Sequence, residues 1–251
     1  MKNEIKNIEW LFDKPIAHRG LIEKGYVENT EKAFLNCVKK GYAIETDVRY
    51  DKDKNLVCFH DKDLKRLANL DLEIKDLSKN ELEKIRLLGK EKIVYFDELL
   101  NLVNGKVPIL IEIKYPSEKT IEKDLLNALK GYNGKYAVQS FNPLCLIRLK
   151  KLAPFILRGQ LITLDKDRPY TEKLKWSFVN KFTCPDFLSV NVEGLNFSYI
   201  LPTLCYTVKN EEDLKKAMKY CDNIIAENFL EYGKKSFKGN PSNDLISAMI
   251  D

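Results

Sequence analysis

Histidine is scarce in this sequence of 251 residues: there are two, His18 and His60, and each closes a strand-like run, PIAHRG and NLVCFH. In parallel α/β folds the active site gathers at the C-terminal ends of strands, and an imidazole titrates near neutral pH, where it can take or give a proton. The carboxylates follow the same placement. Glu45 and Asp47 in AIETDVRY are two residues apart, so both side chains point to one face of a strand. Glu112 is an acid inside the apolar run ILIEI, with Lys114 two residues on along the same face. Buried charge is costly unless it is paired or bound to metal. For either strand alone, a salt bridge (Glu45 with Arg49, or Glu112 with Lys114) is an equal reading. Three carboxylates from two strands at one mouth make a hard oxygen site suited to Mg²⁺ or Ca²⁺, and together they favour the metal.

Arg19 directly follows His18, and Lys114 follows Glu112. Arginine offers phosphate a two-pronged fork and lysine a mobile point charge. Two imidazoles, a divalent metal and two cations suit phosphodiester cleavage: one histidine deprotonates the attacking hydroxyl and the other protonates the leaving oxygen. No serine or cysteine nucleophile constellation competes with this set. GYNG and KGN lack the spacing of a phosphate-cradling loop, so a nucleotide motif is absent.

Positioning these residues requires a large regular scaffold. A length near 250 residues fits one barrel or one large α/β unit, read as a single domain over 1–251. At 44% hydrophobic and 31% charged, the chain is neither disordered nor fibrous. Strand-like runs lie at 15–20, 43–50, 55–60, 107–115, 135–140, 155–162, 187–194, 201–208 and 223–228. Helical patterns lie at 30–40, 79–89, 96–104, 118–131, 142–152, 170–182 and 210–220, with starts signalled by Thr30, Ser78 and Asn210. The alternation predicts a (β/α)8 TIM barrel, with the doubly wound open sheet as runner-up. The pattern yields nine strands where a barrel wants eight, and the gap from 50 to 55 is too short for a crossover helix. One strand is misassigned or the barrel is irregular there. Residues 62–106 read as an excursion from the barrel edge, and the polar tail from about 230 stays unassigned.

The net charge of +5 is spread along the chain and reads first as a solvated, Lys-rich surface; the mild positive field also suits a small anionic substrate and falls short of a nucleic-acid footprint. No apolar run reaches the roughly 18 to 20 residues needed to span a bilayer. MKNEIKNIEWLFDKP lacks the apolar stretch of a secretion signal, so a cytoplasmic protein with no transmembrane segment is expected. The six cysteines form no close pair and several sit in apolar surroundings; they read as reduced and structural.

HRG (18–20), ENT (28–30) running into EKAF, ETDVR (45–49), FHD (59–61), EIK (112–114) and QSF (139–141) occur in this order. The set resembles the glycerophosphodiester phosphodiesterase family, in the barrel superfamily that includes phosphatidylinositol-specific phospholipase C. The resemblance implies a (β/α)8 barrel that uses a divalent cation to hydrolyse glycerophosphodiesters to glycerol 3-phosphate and an alcohol. It implies His18 and His60 as the acid/base pair, and Glu45, Asp47 and Glu112 as metal ligands. Arg19 and Lys114 would contact phosphate, and Tyr206 the substrate. The neighbouring glycerol hydroxyl would attack phosphorus, giving a cyclic phosphate that water opens. The order in which the histidines act stays open, as does the oligomeric state.

Three positions depart from the family pattern. Val27 replaces the proline before ENT, Tyr206 in CYTVKN stands where a tryptophan is usual, and IIAEN (224–228) replaces a closing IITD. Tyrosine keeps an aromatic wall, smaller and carrying a hydroxyl, so the changes bear on which alcohol is preferred. Two alternatives accompany this reading. One is a lysophospholipase D-like phosphodiesterase of the same superfamily, and the other is a non-catalytic barrel that binds phosphate or metal. The presence of both histidines weighs against the second.

Overall fold

The computed structural model describes residues 7–23, 25–114, 120–165, 167 and 169–227. The elements begin with α1 (Trp10–Asp13), β1 (Ile16–Ala17), α2 (Glu31–Lys40), β2 (Ala43–Tyr50) and β3 (Leu56–Cys58). Next come α3 (Lys65–Ala68), a 3₁₀ turn at Ile74–Asp76, α4 (Lys79–Leu82), β4 (Val94–Tyr95), α5 (Phe96–Val103) and β5 (Ile109–Ile113). After these follow α6 (Ile121–Ala128), β6 (Tyr136–Ser140), α7 (Pro143–Leu152), β7 (Leu157–Ile162) and α8 (Pro169–Thr183). The last are β8 (Phe187–Asn191), β9 (Thr203–Val208), α9 (Glu211–Tyr220) and β10 (Asn223–Ala226). The tail expected from about 230 lies outside the described residues.

The chain divides into two compact units, 18–136 and 1–17 with 137–251. In the second, β1, β10, β9, β8, β7 and β6 form a parallel run in that order. The β7, β8 and β10 strands are buried along their whole length, with Arg158, Gln160, Ser189, Asn191 and Asn223 among the apolar residues, as strands covered on both faces must be. The amide of Asn223 ties the last strand to the chain start by donating to the carbonyls of Leu11 and Lys14, at 2.7 Å each.

In the 18–136 unit, β2 and β5 pair in parallel, with Asp47 opposite Glu112 and Val48 opposite Ile113. β3 runs antiparallel to β2 and to the two-residue β4. This corrects the reading of 55–60 as one more parallel strand. The short connection needs no crossover because the chain turns back as a hairpin, and a turn of a few residues suffices for antiparallel neighbours. The Asp51 carboxylate holds that turn, accepting from the backbone N–H of Asp53 and Asn55 at 2.9 and 2.8 Å. Setting β3 and β4 aside leaves eight strands in parallel pairings among the described residues, the number a barrel wants.

The excursion is anchored by a core of its own. Leu64, Leu67, Ile74, Leu77, Leu82, Leu87 and Ile93 bury themselves with Val27, Val57, Phe59 and Tyr95. The helix expected over 79–89 shrinks to α4, a single turn closed by a capping box between Ser78 and Glu81. At α2, Thr30 takes the N-cap position, but its hydroxyl donates back to the Val27 carbonyl at 2.6 Å rather than capping the helix. Among the described residues no helix is long and apolar enough to cross a membrane.

Candidate active site

The expected site residues of the 18–136 unit converge on Asp47. Period-two alternation on β2 puts Glu45 and Asp47 on one face, and the parallel register sets Glu112 of β5 beside Asp47. Glu45, Asp47 and Glu112 are all buried, and one carboxylate oxygen of each lies within 4.8 Å of the others. Such crowding is unfavourable without counter-charge. Burial, with the Asp47 and Glu112 charges adding to it, lifts the Glu45 pKa well above the carboxylate range. Glu112 is pushed up to about 7 by burial, with Lys114 opposing and Asp47 adding to the rise. Asp47 moves the other way: burial is outweighed by Lys114 and Arg19, and the two imidazoles pull in the same direction.

Lys114 lies 2.7 Å from Glu112 Oε1 and 3.3 Å from Asp47 Oδ1. The alternative ion pair from the sequence is thus formed at Glu112. Asp47 Oδ1 and Glu112 Oε1 are both buried, and each has the Lys114 ammonium as its ion-pair partner. Arg49 does not serve Glu45 in the way the other pair required. Its guanidinium donates to the carbonyls of Phe59 and His60 at 3.1 and 2.6 Å, pinning the returning strand. Three buried carboxylates whose oxygens gather within 4.8 Å of one another, with one lysine shared between two of them, fit a divalent cation by charge and donor type.

His18 follows β1 directly, and a tight turn comes next. Arg19 and Gly20 are both left-handed, with φ of 57° and 87°. A Cβ on Gly20 would lie 2.8 Å from the Ala33 Cβ, so the HRG turn packs against α2 only with glycine. The turn aims the Arg19 backbone N–H at Glu45 Oε2, 3.1 Å away. It also sets the Arg19 side chain between Glu28 at 2.7 Å and Asp47 at 3.4 Å. Asn29 fixes the third side of Asp47, donating from Nδ2 at 2.9 Å while its Oδ1 accepts from Thr46 at 2.8 Å.

His60 reaches the cluster by the hairpin. With Cys58 opposite Val48, the next step brings the Phe59 N–H to the Asp47 carbonyl at 3.0 Å, which sets His60 beside the carboxylates. Its place therefore differs from the end of a parallel strand expected from the sequence. Its Nδ1 lies 2.7 Å from Asp61 Oδ1. Burial lowers the His60 pKa, opposed by Asp47 and reinforced by Lys114 and Arg19, which keeps the ring neutral and able to accept a proton.

Tyr206 belongs to the other unit, on β9. Its hydroxyl donates to the Ile162 carbonyl at 3.0 Å, and its ring meets Phe141 edge-on with centroids 6.1 Å apart. Four polar residues around the cluster were missed as site residues. Glu28, Asn29 and Asp61 stand inside the ENT and FHD motifs, which was the signal available for them. Arg66 carried none, being one more cation in a charged run.

The model of the Glycerophosphoryl diester phosphodiesterase family matches residues 18–226. A glycerophosphodiester phosphodiesterase of Caldanaerobacter subterraneus subsp. tengcongensis is 31% identical over 234 residues, covering 84% of this chain and 93% of that protein. Among solved structures, an Oleispira antarctica phosphodiesterase in complex with the product sn-glycerol-3-phosphate aligns with a TM-score of 0.73 at 21% identity, over 96% of this chain and 98% of its own. The Thermotoga maritima glycerophosphodiester phosphodiesterase aligns with a TM-score of 0.67 at 27% identity, over 84% and 92%. The fold is the closed eight-stranded parallel (β/α)8 barrel expected from the alternation.

Proposed function

This chain belongs to the glycerophosphoryl diester phosphodiesterase family and is an enzyme of that class, and from that premise we propose a metal-dependent hydrolysis of glycerophosphodiesters driven by His18 and His60. The observation that carries the reading is the buried Glu45, Asp47 and Glu112 cluster with an imidazole-bearing turn and two cations around it. The matched span crosses both units, which supports treating 1–251 as one catalytic domain.

In this reading Glu45, Asp47 and Glu112 hold a divalent cation, Mg²⁺ or Ca²⁺. Bound there, the ion supplies Lewis-acid stabilisation of charge building on the phosphoryl oxygens. Arg19 and Lys114, already charged and partly buried, orient the phosphate. One histidine removes the proton from the glycerol hydroxyl next to the phosphate ester. That oxygen forms a bond to phosphorus as the bond to the alcohol breaks. The other histidine gives its proton to the departing oxygen. Water then opens the cyclic phosphate with the two roles exchanged, returning both rings to their starting states and releasing glycerol 3-phosphate. Asp61 accepting from Nδ1–H leaves Nε2 of His60 as the nitrogen that works on substrate. Tyr206 keeps the role that the family resemblance implies for it, an aromatic contact for substrate.

The test is release of glycerol 3-phosphate from glycerophosphocholine and glycerophosphoethanolamine, with Mg²⁺, with Ca²⁺ and with EDTA. Activity abolished by EDTA is the expected result. Turnover of lysophosphatidylcholine in place of both substrates would move the assignment to a lysophospholipase D. No turnover of any of the three with either metal would overturn it.

A further inference from the structure

Arg66 stands outside every motif that carries the chemistry, yet its donors converge on two of the carboxylates beside the site. Its Nη1 and Nη2 form a fork on Glu28, at 2.8 and 2.6 Å, while its Nε donates to Asp61 Oδ2 at 2.7 Å. The far oxygen of Asp61 lies 2.7 Å from His60 Nδ1. Glu28 Oε1, which Arg66 holds on one side, accepts on the other from Arg19 at 2.7 Å. An unbroken line therefore runs from His60 through Asp61, Arg66 and Glu28 to Arg19, whose backbone N–H holds Glu45.

The Arg66 side chain is 47% exposed. Ion pairs that open to water contribute little to stability, so stability is a poor reason for this arrangement. What it does supply is geometry. A planar guanidinium fixes two carboxylates at set angles, which a lysine cannot do. Glu28 belongs to the segment between β1 and α2, and Asp61 follows the β2–β3 hairpin, so no backbone ladder sets one against the other. We infer that Arg66 is a positioning residue: it latches the Arg19 turn to the His60 turn, so that the phosphate-orienting cation and the acid/base imidazole keep a fixed relation. The short helix α3 and the apolar core beneath the excursion hold Arg66 in place for this task, with Leu64 and Leu67 buried on either side of it.

The inference rests on the His60 role proposed above, and the experiment separates the two. Arg66→Ala is expected to lower kcat on glycerophosphocholine by about 10- to 100-fold, the scale seen when outer partners that orient active-site side chains at metal sites are removed. The melting temperature and KM should stay near wild type. Arg66→Lys keeps the charge but loses the fork, and should not restore turnover. Guanidinium, added to Arg66→Ala below its denaturing range, should restore part of it. With only two histidines in the chain, ¹⁵N imidazole spectra of wild type and His18→Ala identify the His60 signals, which should lose their fixed Nδ1–H tautomer in Arg66→Ala. Wild-type kcat in Arg66→Ala, full rescue by lysine, or an unchanged His60 tautomer would each overturn the latch. If wild type fails to cleave glycerophosphodiesters, the proposed function falls while the tautomer comparison still decides the latch.

Discussion

His18 and His60 are partly exposed, while the three carboxylates beside them are buried. That division suits the tasks proposed for them, since an acid/base group must meet substrate and a ligand must be held still. Replacing either histidine by alanine is expected to cut turnover by about 10² to 10⁴-fold while leaving metal affinity intact. Steady-state rates paired with calorimetric metal titration check this. A variant with full turnover removes its histidine from the mechanism. Glu45, Asp47 and Glu112 are expected to behave in the opposite way, each alanine variant losing metal affinity directly, and wild-type affinity would exclude that ligand. These candidates stood out by type and spacing, an acid within ILIEI and a histidine closing VCFH, and it was their combination that favoured a site over a salt bridge. Arg66 did not stand out, because its partner Glu28 lies 38 positions away and the meeting depends on where the excursion folds back.

At the scale of elements, the β1–α2 turn and the β2–β3 hairpin do the placing. Gly20 is the tightest point of the first. Gly20→Ala forces a side chain into a left-handed residue, at about 1–2 kcal/mol, and drives its Cβ against Ala33 and the Phe34 ring. Overpacking of that kind adds about 1–3 kcal/mol. The variant should unfold at lower urea than wild type. It should also lose activity, because the turn carries both His18 and the Arg19 N–H. A denaturation midpoint and activity equal to wild type would show that the turn tolerates a side chain. The hairpin is where the pattern of the sequence misled: a β-branched run that could have been another parallel strand is an antiparallel return. Periodicity reports that a segment is extended and not which way its neighbour runs.

For the whole molecule, the buried acids are expected to make stability depend on pH and, through the proposed cation, on metal. Glu45 and Glu112 have folded pKa values above their ordinary value of 4.5, so they bind protons on folding. Their contribution is full below 4.5 and is lost as pH rises through about 7, the value reached at Glu112. Asp47 is shifted down, so its contribution holds above 3.8 and is lost on acidification below it. The metal-free protein should therefore melt highest in mildly acidic buffer and lower at pH 8. A divalent cation should reverse the trend, because it replaces the protons that those carboxylates otherwise need. At a hundred times its Kd it adds about 2.7 kcal/mol, or about 5–10 °C in a chain of this size. Calorimetric scans with Mg²⁺, Ca²⁺ and EDTA at pH 5 and pH 8 measure both effects. Equal melting with and without metal at pH 8 would remove the cation from the site.

The sequence by itself determined the alternation that makes a barrel, the identity of the acids, imidazoles and cations, and the facing of Glu45 with Asp47. These follow from local rules, the strand period and the cost of burying charge, which act within a few residues. Tertiary structure decided the rest. It set Asp47 opposite Glu112, turned His60 back beside them by an antiparallel return, and closed the Arg66 latch. Each depends on register or on loop closure between segments distant in the chain, where free energy is shared among many contacts and no single residue type announces the pairing.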